Sequence, residues 1–370
     1  MNRPLEYTPL MLLLALVCFG AARPEAARSE PTFSKAERTY RLEFPRDHGS
    51  HPAFQTEWWY YTGHLYSLNQ QPFKDPSLYG FQLTFFRRSD VTAGSKEWDQ
   101  TFLSQAALSD FGLMRFLFSS RLARGGLGLA GATRGFLRVW NRDWKAEMLG
   151  SKHALEFSLE SGGETKQVRL LAVPQSEPVL HAEAGFSTKS RDGRYASHYY
   201  SSGRLALEGQ ITSGDSFEAV HGLAWMDHEF MSSALAPGLH GWDWFSLILE
   251  DGRQLMLFKL RHADRSSDYA AGTLIQDGLG RHLNGSDFVI EERATWQSPH
   301  SNAVYPSLWR IRVPAQGLDI EVKPRLADQE LHQQDKGSPT YWEGAVQSDD
   351  LKTIGYAELT GYAQPLGGKL

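Results

Sequence analysis

The feature that most narrows the fold is punctuation. From residue 56 onward the chain reads as short aromatic and β-branched runs, each closed by Gly, Pro, Asn or Asp. In the first half the runs fall at 56–66, 79–86, 100–108, 136–140, 153–159, 167–173, 197–209 and 221–230. In the second they fall at 244–250, 254–261, 269–275, 288–296, 308–313, 318–324, 341–346 and 355–362. Runs of this length, evenly spaced between turn signals, predict the strands of an all-β barrel or sandwich. Residues 111–122 are the best candidate for a short helix, and the glycine-rich 125–135 reads as a mobile loop. In 56–66 aromatics stand on successive positions, so both faces of that strand must be covered, one by a core and the other by a ligand cavity.

A chain of 370 residues is long enough for two domains of ordinary size. The polar, Pro-containing 232–238 reads as the connection between them, giving domains over 41–232 and 240–370. The N-terminus reads as a secretory leader over 1–27. Arg3 precedes an apolar stretch from Pro9 to Phe19 and then the small residues Gly20, Ala21 and Ala22. A polar linker follows over 28–40. The single cysteine, Cys18, lies inside the leader, so the cleaved chain would carry no thiol. A lipoprotein reading would make Cys18 the first mature residue, but Val17 is bulkier than that processing accepts. Nothing later resembles a membrane span. The expectation is therefore a secreted or periplasmic protein stabilised by packing alone. A formal net charge of -5 and the lack of a basic stripe argue against a nucleic-acid partner.

Chemistry concentrates in His221-Gly-Leu-Ala-Trp-Met-Asp-His-Glu-Phe230, answered by Trp242-Asp-Trp244. As a strand, this segment puts Trp225, Asp227 and Glu229 on one face and Met226, His228 and Phe230 on the other. A carboxyl group in an apolar setting either finds partners or takes up a proton, and a proton kept near neutral pH is what a general acid needs. The competing reading puts Asp227 and Glu229 in a surface turn or an arginine pair.

Four stretches together resemble the carotenoid 1,2-hydratase/AttH-like family. They are Phe44-Pro-Arg-Asp-His-Gly49 with Thr56-Glu-Trp-Trp-Tyr60, His198-Tyr-Tyr200, Trp225-Met-Asp-His228, and Tyr341-Trp-Glu-Gly344 with Glu358-Leu-Thr-Gly-Tyr362. The resemblance implies two tandem lipocalin-like antiparallel β-barrels with a ligand cavity near their interface. It implies cofactor-free chemistry at a C=C bond, such as adding water or isomerising, or, for some members, a soluble partner of an ABC exporter. The family's catalytic aspartate maps to Asp227 in Trp225-Met-Asp227-His228, where Trp225 and Met226 replace a tyrosine and a histidine. His198 keeps the histidine of an upstream His-x-Trp pair, and Tyr200 stands for its tryptophan. On this reading Asp227 is the acid, His198 orients it or activates water, and Tyr200 and Trp225 complete the catalytic set. Trp58, Tyr60, Glu229, Trp242 and Trp244 line the apolar ligand, with no cofactor and no metal.

Two rivals remain open. His221, Asp227, His228, His240 and Asp243, joined by His48 and His51, are metal-ligating types, but no His-Glu-x-x-His spacing occurs. A Gly-x-Ser-x-Gly elbow and a phosphate-cradling loop are also missing. A non-catalytic carrier would need the same aromatics without an ionisable acid.

Overall fold

The computed structural model describes residues 33–89, 97–161, 163–232, 235–332 and 339–366. The leader, Cys18 and the first part of the linker lie outside them. The all-β reading stands: helical turns among the described residues are the single 3₁₀ turns Arg46–His48, Glu97–Asp99 and Pro314–Gln316. Residues 111–122 are not a helix. A turn at 111–114 leads into the strand Arg115–Arg124, which pairs back on Gln100–Asp110. A neighbouring edge that supplies hydrogen bonds decides between strand and helix here, which local propensity does not see. The glycine-rich 125–135 likewise contains a short strand, Ala130–Ala132, paired with Arg138–Asn141.

Two antiparallel sheets hold the strands of the described residues. The first runs in the order Arg115–Arg124, Gln100–Asp110, Tyr79–Ser89, Thr56–Ser67, Ser216–Met231, Ala196–Ser213, Glu164–Pro174, Lys152–Ser161, Trp144–Leu149, Arg138–Asn141, Ala130–Ala132. It curls into a near-barrel. Where its two ends meet, the Asn141 amide donates to the carbonyls of Phe102 at 3.3 Å and Arg121 at 3.0 Å. The second sheet is a half-barrel built on Gly241–Leu249, Gln254–Arg261, Thr353–Leu359 and Tyr341–Gln347. The chain passes from one sheet to the other between Met231 and Gly241. No helix among the described residues is long and apolar enough to cross a membrane.

Three apolar clusters result. One fills the first barrel around Trp59, Tyr61, Phe81, Leu155 and Met226. Another fills the second around Phe245, Trp309 and Trp342. A third lies between the sheets, where Tyr60, Tyr199 and Trp225 meet Trp244, Phe258 and Tyr356. Gly80 marks how closely the sheets approach, since a Cβ there would sit 2.8 Å from both Ala345 Cβ and the Tyr356 hydroxyl. The strand Thr56–Ser67 and the second half of Ser216–Met231 are therefore buried on both faces, which explains why their aromatics do not alternate with polar residues.

Polar groups inside the first barrel are matched in charge. Glu57 is fully buried and takes Arg87 Nε at 2.8 Å, with His51 Nδ1 at 2.7 Å and His228 Nε2 at 2.9 Å. The Arg87 guanidinium also donates to the carbonyls of His51 and Phe54, tying the 45–54 turn to the sheet. Replacing Arg87 by Met strands the Glu57 charge and is expected to destabilise the fold by about 3–5 kcal/mol in urea unfolding. The double variant R87M/E57Q should recover much of that loss. A single R87M with wild-type stability would show that Glu57 needs no countercharge.

Candidate active site

Register carries the residues of the site to one place. In the first sheet Tyr60 pairs with Asp227 and Asp227 with Ser201, while Trp58 pairs with Glu229 and Glu229 with Tyr199. Directly opposed residues share a face, so all six look outward from the first barrel toward the second sheet. There Trp244 pairs with Glu358, and Glu358 with Glu343. Between these walls lies a narrow cavity of about 70 Å³ lined by Trp58, Tyr60, Asp227, Trp244, Glu343 and Glu358, among others. It has room for several waters or for the tip of an elongated apolar ligand.

Asp227 is 3% exposed and has no cationic partner among the described residues. Its Oδ1 accepts from Trp225 Nε1 at 2.6 Å and from the Ser201 hydroxyl in a short bond. Among the described residues its Oδ2 accepts only from the Tyr199 hydroxyl, at 2.7 Å, and that hydroxyl in turn accepts from Trp244 Nε1 at 3.1 Å. Burial raises the Asp227 pKa to about 7, and the nearby Glu229 adds to the rise. The three donors oppose it but carry no full charge. Oδ2, with the fewer donors, is the oxygen left to hold a proton. Behind Ser201, His181 Nε2 lies 2.6 Å from the serine hydroxyl and His181 Nδ1 lies 2.8 Å from Thr273 Oγ1. Burial holds His181 neutral. Because Ser201 gives its proton to Asp227, His181 must donate through Nε2 and accept from Thr273 through Nδ1.

The other acids of the cavity differ. Glu229 is paired with Lys189 at 2.7 Å and accepts a short bond from Ser197. Glu358 keeps some surface open to the cavity although it lies deep, and it accepts from Trp242 Nε1 at 3.0 Å. Glu343 is 2% exposed, and neither of its oxygens has a partner in hydrogen-bonding geometry. The Tyr60 and Tyr341 hydroxyls are near enough to ease its charge but do not reach that geometry, and Tyr341 donates instead to Gln105 at 2.7 Å. Burial raises the proton affinity of both glutamates, and their neighbouring carboxyls raise it further.

The expected face of Trp225, Asp227 and Glu229 is the face observed. Trp58, Tyr60, Trp242 and Trp244 line the same cavity. His198 and Tyr200 do not. They pair with Phe230 and His228 and turn into the first barrel, and among the described residues neither is hydrogen-bonded to Asp227. There Tyr200 bridges His48 Nδ1 at 2.7 Å and His228 Nδ1 at 3.0 Å, while His198 lies 4.6 Å from the Tyr40 ring, centroid to centroid. The positions beside Asp227 belong instead to Tyr199 and Ser201, one residue along. Of the metal-ligating types, Asp227 and His228 face opposite ways. His51, Glu57 and His228 do have ligand atoms within 4.8 Å of one another, but Glu57 already has the Arg87 countercharge, so the trio forms a closed hydrogen-bonded network. Lys189, His181, Glu343 and Glu358 were not foreseen. The hints in the sequence were that Glu343 and Glu358 fall inside two stretches that carry the family resemblance, Tyr341-Trp-Glu-Gly344 and Glu358-Leu-Thr-Gly-Tyr362.

Asp227 holds its proton more tightly in the folded chain, to about 7 against an ordinary 3.8. Its contribution to stability is therefore complete at low pH and drains away as pH rises through that interval. Asp227→Asn carries no such loss. Relative to wild type, its stability should improve by on the order of 2–3 kcal/mol between about pH 5 and about pH 8, measured by denaturant titration. A difference that does not change with pH would mean that Asp227 is ionised throughout.

The AttH-like family model matches residues 35–362. The fold is similar to that of an AttH from Nitrosomonas europaea, 32% identical with a TM-score of 0.78, over 89% of this chain and 99% of that one. It is also similar to kievitone hydratase from Nectria haematococca, at 13% identity and a TM-score of 0.62, over 90% of this chain and 97% of that one. The second likeness is one of fold alone. A search of the curated proteins found no match. With nearly the whole described chain inside the family's boundaries, this protein belongs to the AttH-like family.

Proposed function

We propose that this is an extracytoplasmic protein that takes an apolar, isoprenoid- or lipid-like molecule into the cavity between its two sheets and transfers a proton from Asp227 to a C=C bond. One observation carries the reading: an acid without a cationic partner lies on the wall of a ring-lined cavity with its pKa near neutrality. The fold is one on which a hydratase is also built. The leader-like N-terminus supports the location.

The chemistry balances without a cofactor. Asp227 Oδ2 gives its proton to one alkene carbon, the π electrons form the new C–H bond, and the neighbouring carbon becomes cationic. A water oxygen forms the C–O bond and loses its extra proton to the Asp227 carboxylate, restoring the acid. For isomerisation, that carboxylate removes a proton from an adjacent carbon instead. The faces of Trp58, Tyr60 and Trp244 stabilise the cation by about 0.5–2 kcal/mol per ring. Ser201, held by His181, fixes the carboxyl so that Oδ2 meets the substrate.

The carrier alternative uses the same cavity. A protein handing its ligand to an ABC exporter needs the rings but has no use for a proton on Asp227. Mass spectrometry of the purified protein's bound small molecules identifies candidate ligands, and incubation in ¹⁸O-water reads addition across a double bond. Asp227→Asn should lower turnover by about 10²–10⁴-fold while ligand affinity, followed by tryptophan quenching, stays within a few-fold. Ligand recovered unchanged from wild type, with equal binding by both proteins, leaves the carrier.

A further inference from the structure

The cavity contains one ammonium group already. Lys189, 6% exposed, reaches in to set its Nζ 2.7 Å from Glu229, over the rings of Phe258 at 4.4 Å and Tyr199 at 4.9 Å. Carboxylate in front and aromatic faces around: this is how the site holds a positive charge. The second-sheet wall repeats the carboxyls and the rings without a cationic side chain among the described residues. Glu343 and Glu358 stand side by side, flanked by Trp242 and Trp244, and no lysine, arginine or histidine among the described residues pairs with either. Both oxygens of Glu343 and the hydroxyl of Tyr60 are buried without a hydrogen-bond partner. Buried polar groups left unmatched in this way are unfavourable unless something else supplies donors and charge.

We infer that the cavity binds an apolar primary amine as its ammonium ion, with the N–H groups on Glu343 and Glu358 and the hydrocarbon body against Trp58 and Trp244. A primary ammonium offers three donors, enough for the two open oxygens of Glu343 and one of Glu358 together. A quaternary ammonium brings the charge but no N–H donor, so it leaves Glu343 unmatched. A metal ion is the poorer fit, because the nearest further oxygens are the protonated Tyr60 and Tyr341 hydroxyls, and among the described residues no third carboxylate, imidazole or thiol gathers with Glu343 and Glu358 closely enough to share an ion. The raised proton affinity of both glutamates agrees with a charge site lacking its partner. The inference rests on the reading of the cavity as a ligand site and adds a chemical class to it: the occupant is an apolar body with an amino group at one end. It does not require Asp227 to perform a reaction.

Four probes of one chain length test it on the full protein: octylamine, octyltrimethylammonium, octanol and octanoate, followed by quenching of tryptophan fluorescence near neutral pH. Octylamine should bind about tenfold or more tightly than octanol. The trimethyl analogue should fall between them, and octanoate should bind most weakly. Glu343→Gln and Glu358→Gln should each bring octylamine down to the affinity of octanol, with octanol itself unchanged. Two isosteric variants guard against one failing to fold, and thermal melts confirm that both are folded. Octanol binding as well as octylamine overturns this inference and leaves the ligand cavity standing. An octylamine advantage that survives in E343Q/E358Q also overturns it, placing the amine elsewhere. If no probe binds, the cavity reading fails along with it.

Discussion

The site depends on one strand, Ser216–Met231, having no face in water over its second half. Every polar side chain there must be matched by protein, and His228 and Asp227, on opposite faces, are matched in opposite ways. On the inner face His228 joins Glu57, which burial alone would neutralise but which Arg87 and the imidazoles hold far below the ordinary carboxylate range. On the outer face Asp227 is equally dry and receives three hydrogen bonds, yet all come from neutral donors. Dipoles oppose the desolvation penalty but do not cancel it, so the group keeps a proton. Two carboxyls on adjacent, paired strands thus have their proton affinities shifted in opposite directions, decided by whether a full positive charge is in reach. That pairing of environments is what separates structural ion pairs from acids able to react.

Much of this was legible because pleating is a local property. Alternation alone places Trp225, Asp227 and Glu229 together, and the double-sided aromatics of Thr56–Ser67 announce a strand covered twice. What alternation cannot give is register. Assigning His198 and Tyr200 to the acid amounted to choosing the even positions of their strand, and the pairing of Ser201 with Asp227 selects the odd ones. A shift of one residue exchanges the faces, and the bulge between Ser202 and Leu205 resets the pairing further along the same ladder. Residues 111–122 failed for a similar reason, since an available sheet edge overrode a weak local preference.

The carboxyls of the second sheet, unlike its Trp242 and Trp244, were out of reach for a different reason. Glu343 and Glu358 matter because the outer face of one sheet packs on the outer face of another, and nothing in either segment names its partner. Once the sheets meet, they are joined by polar links as well as apolar ones. His64 Nε2 reaches the Gly355 carbonyl at 2.9 Å, Trp244 donates to Tyr199, and Thr273 supports His181. Two of these three links end one hydrogen bond away from a ligand of Asp227 or on that ligand itself. The acid's environment is therefore a property of the assembled pair. A barrel on its own would present Tyr199, Ser201 and Asp227 to solvent, where water would take the place of Trp244 and the reason for the raised proton affinity would vanish. Sheet packing and acid strength are in this sense one constraint, because the same contact that excludes water from Asp227 also forms the cavity in which its proton can be used.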